Sequence, residues 1–114
     1  MSNHYLKNID FEQGLYLCDL VAYQSGQVVS RTLVQNGAVS ITLFSFDEEE
    51  EISSHASTGD AMVTVMEGTA LVTIGDTLHE VTAGQTIVMP ANVPHAVKAK
   101  NRFKMLLTVV FPVK

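Results

Sequence analysis

The chain has 114 residues, of which 46% are hydrophobic and only 17% are charged. A chain this rich in apolar side chains can bury a core, so we exclude intrinsic disorder and expect one domain over residues 1–114. Seven basic and twelve acidic residues give a net charge of −5, which argues against nucleic acid and anionic membranes as partners.

The cysteine content and the N-terminus bear on location. Cys18 is the one cysteine, so an internal disulfide and a cysteine-based zinc site are excluded. The first residues lack the apolar stretch of a secretory signal, and no run reaches the roughly 20 apolar residues of a membrane span. We therefore expect a cytoplasmic protein without a membrane partner.

Alternation of apolar and polar side chains with a period of two dominates the chain and predicts strands. A short helical turn is expected only within residues 15–23. The first two predicted strands, 28–35 and 38–46, flank Asn36-Gly37. This dipeptide favours a hairpin with a type I′ turn, in which both central residues have positive φ.

Six further strands follow, separated by turns that contain glycine, proline or asparagine. The acidic run at residues 47–51 precedes them and is expected to be a solvated loop. The six predicted strands cover residues 62–67, 69–74, 77–81, 86–89, 95–100 and 103–111. Many short strands at close spacing are typical of a β-sandwich or β-barrel, so the predicted fold class is all-β.

Residues 49–99 resemble the two sequence motifs of the cupin superfamily. The first family motif, G-x5-H-x-H-x(3,4)-E-x6-G, aligns with Glu49, His55, Ser57, Ala61 and Gly68. The second, G-x5-P-x-G-x2-H-x3-N, aligns with Gly84, Pro90, Asn92, His95 and Ala99. The resemblance implies a double-stranded β-helix, the jelly-roll barrel of the family, with a pocket inside the barrel. It also implies a homodimer, the usual state of small members.

Two of the four positions that hold a metal in this family have changed. In metal-binding cupins, two histidines and a glutamate of the first motif join the histidine of the second around one divalent ion. His55 and His95 keep a ligand, whereas Ser57 and Ala61 replace the others. Stable zinc or iron sites usually have three or four protein ligands, so two imidazoles are too few.

A divalent metal (Zn, Ni, Mn or Fe) would therefore need a third ligand. Asp60 adjoins the lost glutamate, but alternation along a strand points it to the opposite face unless the backbone bulges there. His79 is the other candidate. The sequence leaves open whether a metal is bound.

The barrel interior is expected to surround the two histidines with apolar side chains. On the last strand, Met105, Leu107 and Val109 form the more apolar set and should face inwards. Together with the motif positions, this predicts a ligand pocket lined by His55, Ser57, Ala61, Val63, Val65, His95, Met105 and Leu107.

Three functions are compatible with such a pocket. The leading hypothesis is a small dimeric protein that binds a small organic ligand around the two histidines. A metal-dependent enzyme, of the dioxygenase, isomerase or decarboxylase type, is the first alternative. A ligand-sensing or interaction module is the second, since cupin barrels also serve in transcription regulators. Catalysis stays open, because this scaffold hosts many chemistries.

Overall fold

The fold consists almost entirely of antiparallel strands. The computed structural model describes residues 4–113, apart from the side chain of Ser54. A 3₁₀ helix, Leu17–Leu20, precedes nine strands in the described residues. The strands are β1 Val28–Gln35, β2 Val39–Phe46, β3 Glu51–His55, β4 Asp60–Glu67, β5 Thr69–Ile74, β6 Thr77–Thr82, β7 Thr86–Met89, β8 His95–Ala99 and β9 Phe103–Val110. The predicted all-β class is confirmed.

Two antiparallel sheets enclose the main core. One sheet has the order β1-β2-β9-β4-β7 and the other the order β3-β8-β5-β6, so the chain passes repeatedly from one sheet to the other. Buried side chains from the two sheets form one cluster, in which Val63 and Phe103 of the first sheet lie with Val72 and Val97 of the second. This arrangement is the double-stranded β-helix that the motif resemblance implies.

One end of the barrel is filled by aromatic rings. Phe46 and Phe103 are fully buried partners on β2 and β9, and their ring centroids lie 4.5 Å apart. Beside them, Gly68 has a φ of +75°, and a Cβ there would lie 2.0 Å from the carbonyl oxygen of Arg102. Glycine is required at this position both for its φ and for the close backbone approach.

A second hydrophobic cluster covers the outer side of the first sheet. Alternation along β2 sends Phe44 and Phe46 to the barrel core and Leu43 to the opposite side. There Leu43 packs with Leu33 and Val21. The residues before β1 therefore form a cover over this face. No helix among residues 4–113 is long and apolar enough to cross a membrane.

A buried lysine joins this N-terminal cover to the sheet. Lys104 is only 9% exposed, and its Nζ donates a hydrogen bond to the Cys18 carbonyl oxygen at 2.7 Å. The Tyr23 hydroxyl donates to Glu67 Oε1 at 2.5 Å, and Lys104 Nζ lies 3.8 Å from the same oxygen. Burial and the Glu67 carboxylate raise the pKa of Tyr23, so it remains a hydrogen-bond donor.

The predicted hairpin between β1 and β2 is confirmed, but its predicted turn type is wrong. Neither Asn36 nor Gly37 has a positive φ, which a type I′ turn requires at both positions. The Asn36 side-chain oxygen instead accepts hydrogen bonds from the backbone nitrogens of Ala38 and Val39, at 2.8 and 3.0 Å. The asparagine side chain therefore shapes this connection.

The strand β3 was not predicted, because it begins inside the acidic run that was expected to be a loop. Its residues Glu51 and Ile52 pair with Lys98 and Val97 of β8, and the register shifts before His55. A five-residue strand with one apolar residue offers too little alternation to recognise. The other strands agree with their predicted bounds to within two residues, and the predicted helical turn is the 3₁₀ helix.

Candidate functional site

A cavity of about 280 Å³ lies at the end of the barrel opposite the Phe46–Phe103 pair. This volume is close to the lower limit of small-molecule sites, roughly 300–1,000 Å³. Most of its walls are aliphatic or aromatic. The lining residues are Gln35, Ser40, Ile52, His55, Ala56, Ser57, Ala61, Met89, His95, Val97, Met105, Leu107, Val109 and Phe111.

The two motif histidines lie side by side in the wall of this cavity. His55 at the end of β3 and His95 at the start of β8 are direct partners across the two strands. Their ring centroids are 4.6 Å apart and the rings are inclined by 68°. The register shift before His55 gives it this partner, since uninterrupted pairing from Ile52 and Val97 would place a different residue opposite His95.

The environments of the two rings differ. His55 is exposed, and its Nδ1 lies 3.1 Å from the carbonyl oxygen of Ser53. His95 is only 4% exposed, and its Nδ1 has no hydrogen-bond partner among the residues that the structure describes. A buried polar atom left without a partner costs about 1–3 kcal/mol of stability.

His95 is biased towards its neutral form. Burial lowers its pKa, and the adjacent His55 lowers it further. The Val93 backbone, which makes no hydrogen bond to Nδ1 within the usual limits of distance and angle, has a smaller opposite effect. A neutral imidazole carries one N–H donor and one acceptor nitrogen, so the ring can serve a ligand group of either kind.

Ser57 and Asn92, which both depart from the family motifs, are joined by a hydrogen bond in the loop region next to the histidines. The Ser57 hydroxyl accepts a hydrogen bond from the Gly59 backbone nitrogen at 3.1 Å, and its carbonyl accepts one from the Asn92 nitrogen at 2.7 Å. Asn92 has a φ of +63°, where the family motif has glycine. Ser57 and Ala61 both line the cavity, and Ser57 is already engaged with its own loop.

Neither candidate third ligand lies in the cavity. Asp60 is exposed, and its Oδ1 accepts a hydrogen bond from the Ala91 backbone nitrogen at 2.8 Å, so it does not turn inwards. His79 on β6 lines a separate surface depression with Glu80. No three His, Cys, Asp or Glu residues among positions 4–113 are grouped so that they could hold a metal ion. The donors at His55 and His95 therefore do not fit a resident divalent ion held by three or four protein ligands.

The structure brings together most of the predicted pocket, with two corrections. His55, Ser57, Ala61, His95, Met105 and Leu107 all line the cavity. Val63 and Val65 do not. They face the barrel interior, as predicted, but they are almost completely buried in the core cluster and are not among the residues that line the cavity.

Several lining residues were not included in the predicted pocket. Ile52 belongs to the unpredicted strand β3, and Gln35 and Ser40 become neighbours only through the pairing of β1 with β2. Two of them could have been predicted from the sequence. Met89 directly precedes the motif proline, and Val109 belongs to the set on β9 that was expected to face inwards. The remaining unnamed lining residues are Ala56, Val97 and Phe111.

Comparison with known proteins identifies the family. Residues 42–111 match the family model described as the cupin domain. Over all of both chains, the protein is 46% identical to a conserved protein of unknown function from Streptococcus pyogenes, with a TM-score of 0.97. A cupin superfamily protein from Desulfitobacterium hafniense is 34% identical, with a TM-score of 0.89, and the match covers 94% of this chain and 98% of that one.

A longer protein shows the same likeness over part of its length. A cupin 2 conserved barrel domain protein from Leptotrichia buccalis is 38% identical over 82% of this chain and 45% of its own, with a TM-score of 0.80. No curated protein matches the chain. The family model covers more than half of the sequence and the barrel carries both motif histidines, so the chain belongs to the cupin superfamily.

Proposed function

We propose that this cupin binds a small organic molecule in its barrel cavity, with an apolar body and one hydrogen-bonding group. The observation that carries this proposal is the imidazole of His95, which lines a mostly apolar cavity and stands beside that of His55, with ring centroids 4.6 Å apart. The polar group of the ligand would pair with this imidazole. Its apolar body would contact Met105 and Leu107.

The size and the lining of the cavity support this ligand class. An apolar cavity of about 150 Å³ holds a benzene-sized molecule, so one of about 280 Å³ suits a ligand somewhat larger. Within the described chain, no carboxylate, lysine or arginine lines the cavity. A fully charged ligand would lose its hydration without gaining a counter-charge, so we favour an uncharged ligand.

Hexanol is a suitable probe, because it combines one hydroxyl with a short apolar chain. We expect isothermal titration calorimetry to show saturable binding to the wild type. The variant Leu107→Trp should abolish binding by filling the cavity. The variant Leu78→Trp, on the exposed surface of β6, should bind like the wild type. Equal binding by both variants would contradict a site inside the barrel.

A metal-dependent enzyme remains the second candidate, on one observation. The imidazole rings of His55 and His95 have centroids 4.6 Å apart and would supply two ligands of a metal site, although the other two family ligand positions hold serine and alanine. Plasma mass spectrometry on untagged protein, with His55→Ala as the control, tests this candidate. Near one ion per chain, lost in the variant, would favour the enzyme. Ion content near zero in folded protein would favour the metal-free binding site.

Three further expectations stay predictions. The homodimer follows from the resemblance to small cupins, and sedimentation velocity would distinguish it from a monomer. The cytoplasmic location follows from the sequence alone. A role as a sensing module would require ligand-dependent association with another protein, which co-purification with and without hexanol would measure.

A further inference from the structure

Phe111 stands between the barrel cavity and a groove on the surface. It follows directly after β9 and lines the cavity. It also lines a neighbouring groove of about 350 Å³, whose other walls are Asn36, Gly37, Thr58 and Pro112. Among the described residues, Phe111 is the one residue that lines both spaces, and it also lines two further surface depressions together with Pro112.

The groove continues the cavity along the same three chain segments. Gln35 lines the cavity, and the next residue, Asn36, lines the groove. Ser57 and Thr58 divide in the same way, and Phe111, which lines both spaces, is followed by Pro112 in the groove. Residues that line the cavity are therefore followed directly in the chain by residues that line the groove, and Phe111 belongs to both.

Phe111 is held in this position from two sides. Its backbone nitrogen donates a hydrogen bond to the Ala38 carbonyl oxygen at 3.0 Å, next to the β1–β2 turn. On the other side, a Cβ at Gly59 would lie 3.0 Å from Phe111 Cδ1 and 2.5 Å from the carbonyl oxygen of Val110. Gly59 therefore provides the space into which the end of β9 and the ring pack.

We propose that Phe111 is a specificity-determining residue that closes the cavity and limits the length of the ligand. The inference rests on the proposed function, since it concerns the same site. A ligand whose polar group pairs with His95 extends along the apolar wall until it reaches the ring. Ligands with a short apolar chain fit inside the cavity, and ligands with a longer chain would clash with the ring. Without the ring, the cavity and the groove would form one continuous site.

The test uses butanol, hexanol, octanol and decanol as probes in calorimetry. Affinity should rise roughly fourfold per added methylene group while the chain is being buried, and then stop rising. We expect this limit to lie at a shorter alcohol in the wild type than in Phe111→Ala. The variant Phe111→Leu keeps an apolar side chain of intermediate size, so it should show an intermediate limit even if the alanine variant folds poorly. The variant Val113→Ala, at a fully exposed site nearby, is the matched control.

The outcomes separate the two proposals. The same length limit in the wild type, Phe111→Leu and Phe111→Ala would overturn the role of Phe111 and leave the binding site standing. Absence of binding by every alcohol to folded wild-type protein would overturn the binding site and the length limit together. A limit that moves to longer alcohols in the order wild type, leucine, alanine, with Val113→Ala unchanged, would support both.

Discussion

His55 and His95 are direct partners on β3 and β8, with ring centroids 4.6 Å apart, yet His55 is exposed and His95 is buried. The two family positions that would complete a metal site with them hold serine and alanine. The pair thus presents one accessible and one desolvated imidazole to an apolar cavity. We expect ligand binding to depend on this difference in burial between the two imidazoles, rather than on a metal ion.

Replacing His95 by phenylalanine should stabilise the fold and weaken binding. The buried Nδ1 is without a hydrogen bond in the described residues, and removing such an atom relieves a cost of about 1–3 kcal/mol. We expect His95→Phe to raise the free energy of unfolding in urea by about 1 kcal/mol at pH 8. Hexanol affinity should fall about tenfold, the equivalent of one hydrogen bond. The control His79→Phe lies outside the cavity, and an equal gain there would argue against this explanation.

The free energy of unfolding should decrease as the pH falls below the pKa of histidine in the unfolded chain. The pKa of His95 is lower in the folded state, so the unfolded state binds more protons in the interval between the two values. The contribution is complete above about pH 6.5, the unfolded value, and is lost as the pH falls towards the folded value. We expect the free energy of unfolding of His95→Gln, measured in urea at several pH values, to lack this part of the dependence on pH. Identical slopes in both proteins would show that other groups are responsible.

The hydrogen bond between Tyr23 and Glu67 should stabilise the N-terminal cover. The Tyr23 hydroxyl donates to a carboxylate at 2.5 Å in a partly buried site. Removing it with Tyr23→Phe should lower the free energy of unfolding by about 1–2 kcal/mol. Tyr16 is 82% exposed, so Tyr16→Phe should change it by no more than about 0.5 kcal/mol. Similar losses in the two variants would mean that the Tyr23 bond adds nothing.

Two glycines that occupy cupin motif positions should differ in their tolerance of alanine. Gly68 and Gly84 both have positive φ, at +75° and +90°, but only Gly68 has backbone atoms within reach of an added Cβ. Gly84→Ala should cost about 1–2 kcal/mol from strain alone. Gly68→Ala should cost more than about 4 kcal/mol, because the backbone at Arg102 must move. Thermal unfolding of the two variants checks this order, and the reverse order would be incompatible with the described packing.

The sequence predicts the strands better than the connections between them. Eight strands follow from alternation and turn residues, because each buries one face along a run long enough to show a period of two. The strand β3 escapes this test, since it owes its existence to pairing with β8. The Asn36-Gly37 turn shows the second limit. Asparagine can shape a turn through its side chain as well as through its φ, and the sequence does not distinguish these uses.

The candidate site was likewise predicted in part from the sequence. Motif spacing predicts that His55 and His95 meet, because the family fixes their places on neighbouring strands. It does not predict which ring is buried, or where the space ends. Val63 and Val65 satisfy the inward parity as well as Met105 does, but only packing in three dimensions decides which of them borders a cavity. Phe111 lies beyond the motifs, and although the inward alternation of the last predicted strand continues to it, the sequence does not show that it borders the cavity.

The most direct test of ligand binding at the histidine pair is an NMR titration with hexanol that follows the imidazole ring signals. If the ligand binds in the cavity, the signals of His95 and His55 shift together and saturate. The signals of His79, which lies outside the cavity, stay in place. Unchanged His55 and His95 signals, or shifts of equal size at His79, would contradict binding at the pair.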